Sequence, residues 1–128
     1  MEPSQFLDGG TVTISDDRYA VCRAEGGHPD ALATIRDETE TTVVVTHDDV
    51  GDVDASAVER GWKRLTFEMD LPFELIGFLA AVATTLADAD VSVFVLSAYS
   101  TDHVLVKDDD LDDAVSQLES LGCRVVSG

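Results

Sequence analysis

The sequence predicts an α+β fold, with antiparallel strands and helices packed on one face of the sheet. Three observations carry this. In the second half, stretches that alternate apolar and polar residues give way twice to stretches with helical spacing. In the first half, β-branched runs are separated by turn residues, and no convincing helical period appears. The 128 residues are 45% apolar, enough for a real core in one compact unit or two small ones.

The first-half strands are expected at Thr11–Ser15, Tyr19–Ala24, Ala33–Asp37 and Thr41–Thr46, the last holding the run Val43-Val44-Val45. Between them lie turn signals at Ser15-Asp16-Asp17, Gly26-Gly27-His28-Pro29 and Glu38-Thr39-Glu40. Asp48–Arg60 is acidic and reads as a connector, with one helical turn expected at Asp54–Glu59. Four strands with one exposed face are marginal alone, so they are expected to pack against or extend the second sheet.

The second half begins with Trp62–Asp70, where Leu65, Phe67 and Met69 alternate with Arg64, Thr66 and Glu68. Asp70, Pro72 and Glu74 then have the chemistry of a helix start: a cap acid, a first-turn Pro and an acid near the positive dipole end. Leu75, Leu79, Val82 and Leu86 follow at helical spacing, widened by Ile76, Phe78 and Ala83, and predict an amphipathic helix over Phe73–Leu86. Ala87-Asp88-Ala89-Asp90 stops it. Val91–Ala98 reads as a central strand, Tyr99–Asp102 as a turn and His103–Lys107 as the returning strand. Asp108–Asp110 supplies an N-cap for a second helix with Leu111, Val115, Leu118 and Leu121 on one stripe and Asp112 and Asp113 in its first turn. Gly122 ends it and Cys123–Val126 closes the set. The order from Trp62 is β-α-β-β-α-β, a split βαβ unit. The expected division is therefore residues 1–60 and 61–128.

Acids outnumber bases 26 to 8, a formal net charge of −18. That field repels phosphates and anionic headgroups, so nucleic acid and membrane surfaces are poor partners. No apolar run approaches the roughly 20 residues of a spanning helix, and the acidic Met1–Gly10 has no secretory pattern. A cytoplasmic protein is expected. The acids are mostly Asp, spread along the chain, and Lys occurs only at Lys63 and Lys107. This composition reads as halophilic adaptation, in which concentrated salt screens hydrated carboxylates, or as an ordinary acidic surface.

Cys22 and Cys123 have no C-x-x-C partner, and His28, His47 and His103 are scattered, so no metal site is expected. His47-Asp48-Asp49 and Asp108–Asp110 read as solvated surface. There is no G-x-S-x-G, H-E-x-x-H, Walker loop or G-x-G-x-x-G, so no catalytic residue can be named and no cofactor is expected.

Val91–Asp110, with its S-A-Y-S-T-D-H-V-L-V core, resembles the signature of tandem ACT-like proteins of the CASTOR type. The resemblance extends through Gly61-Trp62 and Leu71–Gly77, and more loosely to Tyr19–Arg23, Thr34–Arg36 and Thr42–Val45. It implies tandem ACT-like (ferredoxin-like βαββαβ) units, the N-terminal one degenerate and strand-rich. It also implies a non-enzymatic regulatory protein binding a small molecule, an amino acid, where two such units meet. Carried onto this chain, the site comprises Leu71, Pro72, Phe73, Glu74 and Gly77 of the strand–helix loop, with Tyr99, Thr101 and Asp102 of the hairpin. Leu75, Ala98 and Thr101 depart from the arginine-binding members, which carry an acid, a Thr and an aromatic there.

Read from the residues alone, Asp102 is a turn-capping acid as readily as a ligand contact, and Tyr99 covers a sheet edge as readily as a ligand. Gly77, one turn into the expected helix, costs about 1 kcal/mol against Ala unless close contact requires it. Two functions stay open: a ligand-binding regulatory module, homodimeric and acting on an effector protein, or a ligand-free interaction and oligomerisation module.

Overall fold

The computed structural model describes residues 1–128. In chain order the elements are α1 (Pro3–Leu7), β1 (Thr11–Ala24), β2 (Ala33–Arg36), β3 (Thr41–Thr46), a 3-10 turn (His47–Asp52), β4 (Ala55–Phe67), α2 (Phe78–Asp88), β5 (Val93–Ser97), β6 (Asp102–Lys107), a second 3-10 turn (Asp108–Asp110), α3 (Leu111–Ser120) and β7 (Arg124–Ser127). The fold class is α+β, as the sequence predicts.

The chain forms two compact units, Met1–Asp16 with Lys63–Gly128, and Asp17–Trp62. In this division the first sixteen residues group with residues 63–128. β1 and β4 run through both units.

The larger unit is a sheet in the order β7-β1-β4-β6-β5. β5 and β6 pair antiparallel, Val93 opposite Val106 through Ser97 opposite Asp102. β7 runs parallel to β1, Thr11 opposite Arg124. The split βαβ sequence alone gives no such partner, because β1 lies far upstream. Leu65 and Phe67 of β4 and Val104 and Val106 of β6 form the core with Phe78, Val82 and Leu86 of α2 and Ala114 and Leu118 of α3. Both helices therefore cover one face. α1, unforeseen in the sequence, adds buried Leu7 and the flanking Phe6 to this core. Its only sequence signals are Pro3 at the start and Gln5, whose side chain accepts the Glu2 N–H at 2.7 Å.

The smaller unit is a sheet in the order β2-β3-β1-β4, with no α-helix. Its core gathers Ala20, Cys22 and Ala24 of β1, Val43 and Val45 of β3, and Val50 and Val53.

Four expectations are corrected. The turn at Ser15–Asp17 does not exist: β1 is one 14-residue strand. The Ser15 hydroxyl is buried and accepts the Arg64 N–H at 3.0 Å, and the acids that look like a turn are an exposed stretch of strand. The helical turn expected at Asp54–Glu59 is absent: the chain is strand from Ala55, the start of β4. Asp110 makes no side-chain cap; the three acids form their own 3-10 turn. The first long helix starts at Phe78, not near Asp70.

Candidate functional site

The late start of α2 opens a cavity in the larger unit. After β4 the chain turns at Phe73-Glu74, closed by the Leu75 N–H donating to the Pro72 carbonyl at 3.0 Å. Gly77 then adopts φ +85°, ψ 8° as the residue before the helix, and the first helical bond runs from the Ala81 N–H to the Gly77 carbonyl at 3.0 Å. No side chain caps this end, so the N–H groups of Phe78, Leu79 and Ala80 have no intrahelical acceptor and carry the positive end of the dipole. Edge-to-face packing of Phe78 on Phe67, centroids 5.3 Å apart, fixes the helix start on the core.

The opposite wall is the β5–β6 hairpin. Its loop is closed by the Ala98 N–H on the Thr101 carbonyl at 2.8 Å. Two bonds tie hairpin to loop and strand: the Leu71 N–H donates to the Ser100 carbonyl and the Thr101 hydroxyl to the Phe67 carbonyl, both at 2.7 Å. Asp102 sits on β6 opposite Ser97, whose hydroxyl donates to one carboxylate oxygen at 2.6 Å.

Between these walls lies a cavity of about 410 Å³, lined by Leu71, Pro72, Phe73, Leu75, Gly77, Phe78, Leu79, Ala80 and residues Ser97 to Asp102. Of the residues singled out in the sequence, Leu71, Pro72, Phe73, Gly77, Tyr99, Thr101 and Asp102 come together here. Glu74 does not: it is exposed at the turn corner, outside the lining. The Thr101 hydroxyl is engaged on Phe67, which gives that residue a positioning role. Sequence reasoning missed Phe78 to Ala80 because it placed them inside a helix; Pro72 and Gly77 bracketing a short segment are the signal for the loop. Phe73 is 72% exposed and Tyr99 82%, their rings edge-to-face at 4.9 Å.

Elsewhere, polar groups are occupied structurally. His47 Nε2 accepts the Gly61 N–H at 3.0 Å, and His103 Nδ1 lies 2.9 Å from the Thr66 hydroxyl. Burial, with the Arg64 charge, holds the His103 pKa below its ordinary value against the pull of Glu68 and Asp102. Burial raises both thiols, Cys22 against a smaller opposing effect of Arg60, and keeps them unreactive. A second, polar cavity of about 470 Å³ in the smaller unit is lined by Arg23 and Arg36 together with Glu25, Asp37, Glu38 and Glu40. Asp37 there accepts the Glu40 and Thr39 N–H groups, which lower its pKa.

Ligand atoms of His28, Asp30 and Asp49 lie within 4.8 Å of one another. His28 Nδ1 accepts the Asp30 N–H at 3.0 Å, and Nε2 lies 3.6 Å from an Asp52 oxygen.

A family profile described as the ACT domain matches residues 57–120, half of the chain. No curated protein matches. Among solved structures, a protein of Agrobacterium tumefaciens superposes with a TM-score of 0.79 at 23% identity, over 94% of both chains. A Vibrio cholerae protein described as a possible transport protein of unknown function gives 0.71 at 24%, covering 93% of this chain and 94% of its own. The ligand-free regulatory subunit of Thermus thermophilus aspartate kinase gives 0.64 at 7%, covering 90% and 98%. At these identities the likeness is one of fold. No helix is long and apolar enough to cross a membrane. The family match spans the β4-α2-β5-β6-α3 frame that builds the cavity, and the chain belongs to the ACT domain family.

Proposed function

We propose that this protein is a non-enzymatic regulatory module of the CASTOR type that binds an amino acid in the cavity between the α2 N-terminus and the β5–β6 hairpin. One observation carries the reading: a single cavity is lined both by an uncapped helix N-terminus and by the carboxylate of Asp102. The first suits an α-carboxylate and the second an α-ammonium, so a zwitterion meets both poles. In this reading Ile76 and part of the exposed surface of Phe73 and Tyr99 are covered by a second copy of the chain, and ligand binding shifts that homodimer equilibrium or its grip on an effector protein in the cytoplasm.

Thermal melts in molar KCl with each of the twenty amino acids test it. Ligand at about 100 times its Kd adds roughly 2.7 kcal/mol, a rise of several degrees at this size. Asp102→Asn, which still accepts the Ser97 hydroxyl, abolishes that rise. No rise with any amino acid returns the protein to the second reading, a ligand-free interaction module. Ile76, 85% exposed and outside the cavity lining, is the observation that favours it.

A further inference from the structure

We infer that the cavity selects amino acids with neutral, apolar side chains, such as leucine or phenylalanine, and rejects charged ones. This rests on the proposed function and narrows it to a ligand class. Among all the lining residues, Asp102 carries the only side chain charged at neutral pH. A bound amino acid sets its ammonium against that carboxylate. A lysine or arginine side chain then brings a second cation with no second carboxylate to meet it. An aspartate or glutamate side chain brings an anion to walls that hold no cationic side chain. A charged side chain finds no partner there and gives up hydration wherever the walls cover it, whereas an apolar one gains contact in the same place.

Polar side chains fare poorly for a different reason. The Ser97 hydroxyl is engaged on Asp102 at 2.6 Å, the Thr101 hydroxyl on the Phe67 carbonyl at 2.7 Å, and the Ser100 carbonyl with the Leu71 N–H at 2.7 Å. These groups hold the site together; the hydroxyls of Tyr99 and Ser100 are the lining side-chain groups left to meet an amide or hydroxyl, so discrimination against polar side chains rests on the apolar walls. Phe73 and Tyr99 keep 72% and 82% of their surface in water although their rings pack on each other. An apolar side chain laid on this pair removes part of both surfaces from water. The volume of about 410 Å³ accommodates a leucine- or phenylalanine-sized ligand, near the lower end of small-molecule pockets.

Isothermal titration in molar KCl with L-leucine, L-phenylalanine, L-alanine, L-glutamine, L-arginine and L-glutamate decides the matter. Leucine or phenylalanine binds at least about tenfold more tightly than arginine, glutamate or glutamine, the discrimination that apolar complementarity supplies. Phe73→Ala and Tyr99→Ala remove exposed side chains and leave the protein folded, as circular dichroism checks. Each weakens the larger apolar ligand about tenfold while alanine binding changes little. Arginine, glutamate or glutamine binding as tightly as the apolar pair overturns the inference and leaves the amino-acid site standing. So does an unchanged leucine or phenylalanine affinity in both wall variants. No binding by any of the six, with no stabilisation by the other amino acids, overturns the proposed function and this inference together.

Discussion

Gly77→Ala separates two descriptions of the same residue by the sign of one number. Were Gly77 inside a helix, as the apolar spacing of Leu75, Leu79 and Val82 implies, alanine would stabilise the protein by about 1 kcal/mol. The structure places it instead at φ +85°, just before α2. A Cβ built there meets nothing closer than Pro3 Cγ at 3.8 Å, an ordinary contact, so sterics with neighbours add nothing. What remains is the left-handed backbone, which costs an L-residue about 1–2 kcal/mol. The reduced freedom of the unfolded chain offsets about 0.4–1 kcal/mol of this. The net is a loss of about 1 kcal/mol, or roughly 3–5 °C of Tm for a chain of this length. Gly122→Ala is the internal comparison. Its φ is +95°, but there a Cβ lies 2.7 Å from Asp8 Oδ1 and 3.0 Å from the backbone Cα of Asp8, so the loss exceeds that at Gly77. Thermal denaturation followed by far-UV circular dichroism in molar KCl measures all three proteins. A Gly77→Ala Tm equal to or above that of the parent refutes the left-handed assignment. Equal losses at the two glycines refute the contact argument.

Leu86, fully buried, loses about 2–5 kcal/mol on truncation to alanine. Leu79, 36% exposed on the same expected stripe, loses about 1 kcal/mol or less, and chemical denaturation of the two variants compares them. The depressed pKa of His103 means that the unfolded state takes up a proton first as the solution is acidified. Its contribution to stability is complete above the unfolded value of about 6.5 and is lost as pH falls through the lower folded one. His103→Gln flattens that part of a Tm–pH curve, and an unchanged slope contradicts it. With a net charge of −18, removing KCl lowers Tm through unscreened repulsion, and equal melts with and without salt exclude the halophilic reading.

Elements whose burial follows one rule were legible in the sequence. β3 at Thr41–Thr46 is bounded as expected because Val43, Val44 and Val45 are β-branched and flanked by turns. The hairpin of β5 and β6 followed from an uncharged run, a short polar turn and a returning run. What escaped was decided by partners distant in sequence. Asp16 and Asp17 carry a turn-like signal, yet neighbouring Ser15 receives the N–H of Arg64, 49 positions away, and the strand continues. β7 pairs with β1 across the length of the chain, and local patterning carries no trace of that. The candidate cavity was legible in its hairpin half, where Tyr99, Thr101 and Asp102 sit on or beside a predicted turn. Its helix half was displaced, because Asp70 and Pro72 imitate a helix start.

That displacement is what creates the cavity. An α-helix rises 1.5 Å per residue, so a start at Phe73 rather than Phe78 would carry the positive end of the dipole about 7–8 Å further along the axis. Residues 73–77 would then form helix where the structure has a cavity wall, and the N–H groups of Phe78 to Ala80 would be consumed by carbonyls one turn back. Pro72 and Gly77 act together against this. Pro72 accepts the turn bond from Leu75, and Gly77 adopts a conformation that no regular helix includes. Between them the apolar residues divide: Leu75 packs against the core, whereas Phe73 and Ile76 stay in water at 72% and 85% exposure. A helix serving only the core would have no use for the second pair. On the proposed reading, the apolar surface of Phe73 that the core does not absorb lines a cavity with one carboxylate and serves the ligand, while Ile76, outside that lining, serves a partner.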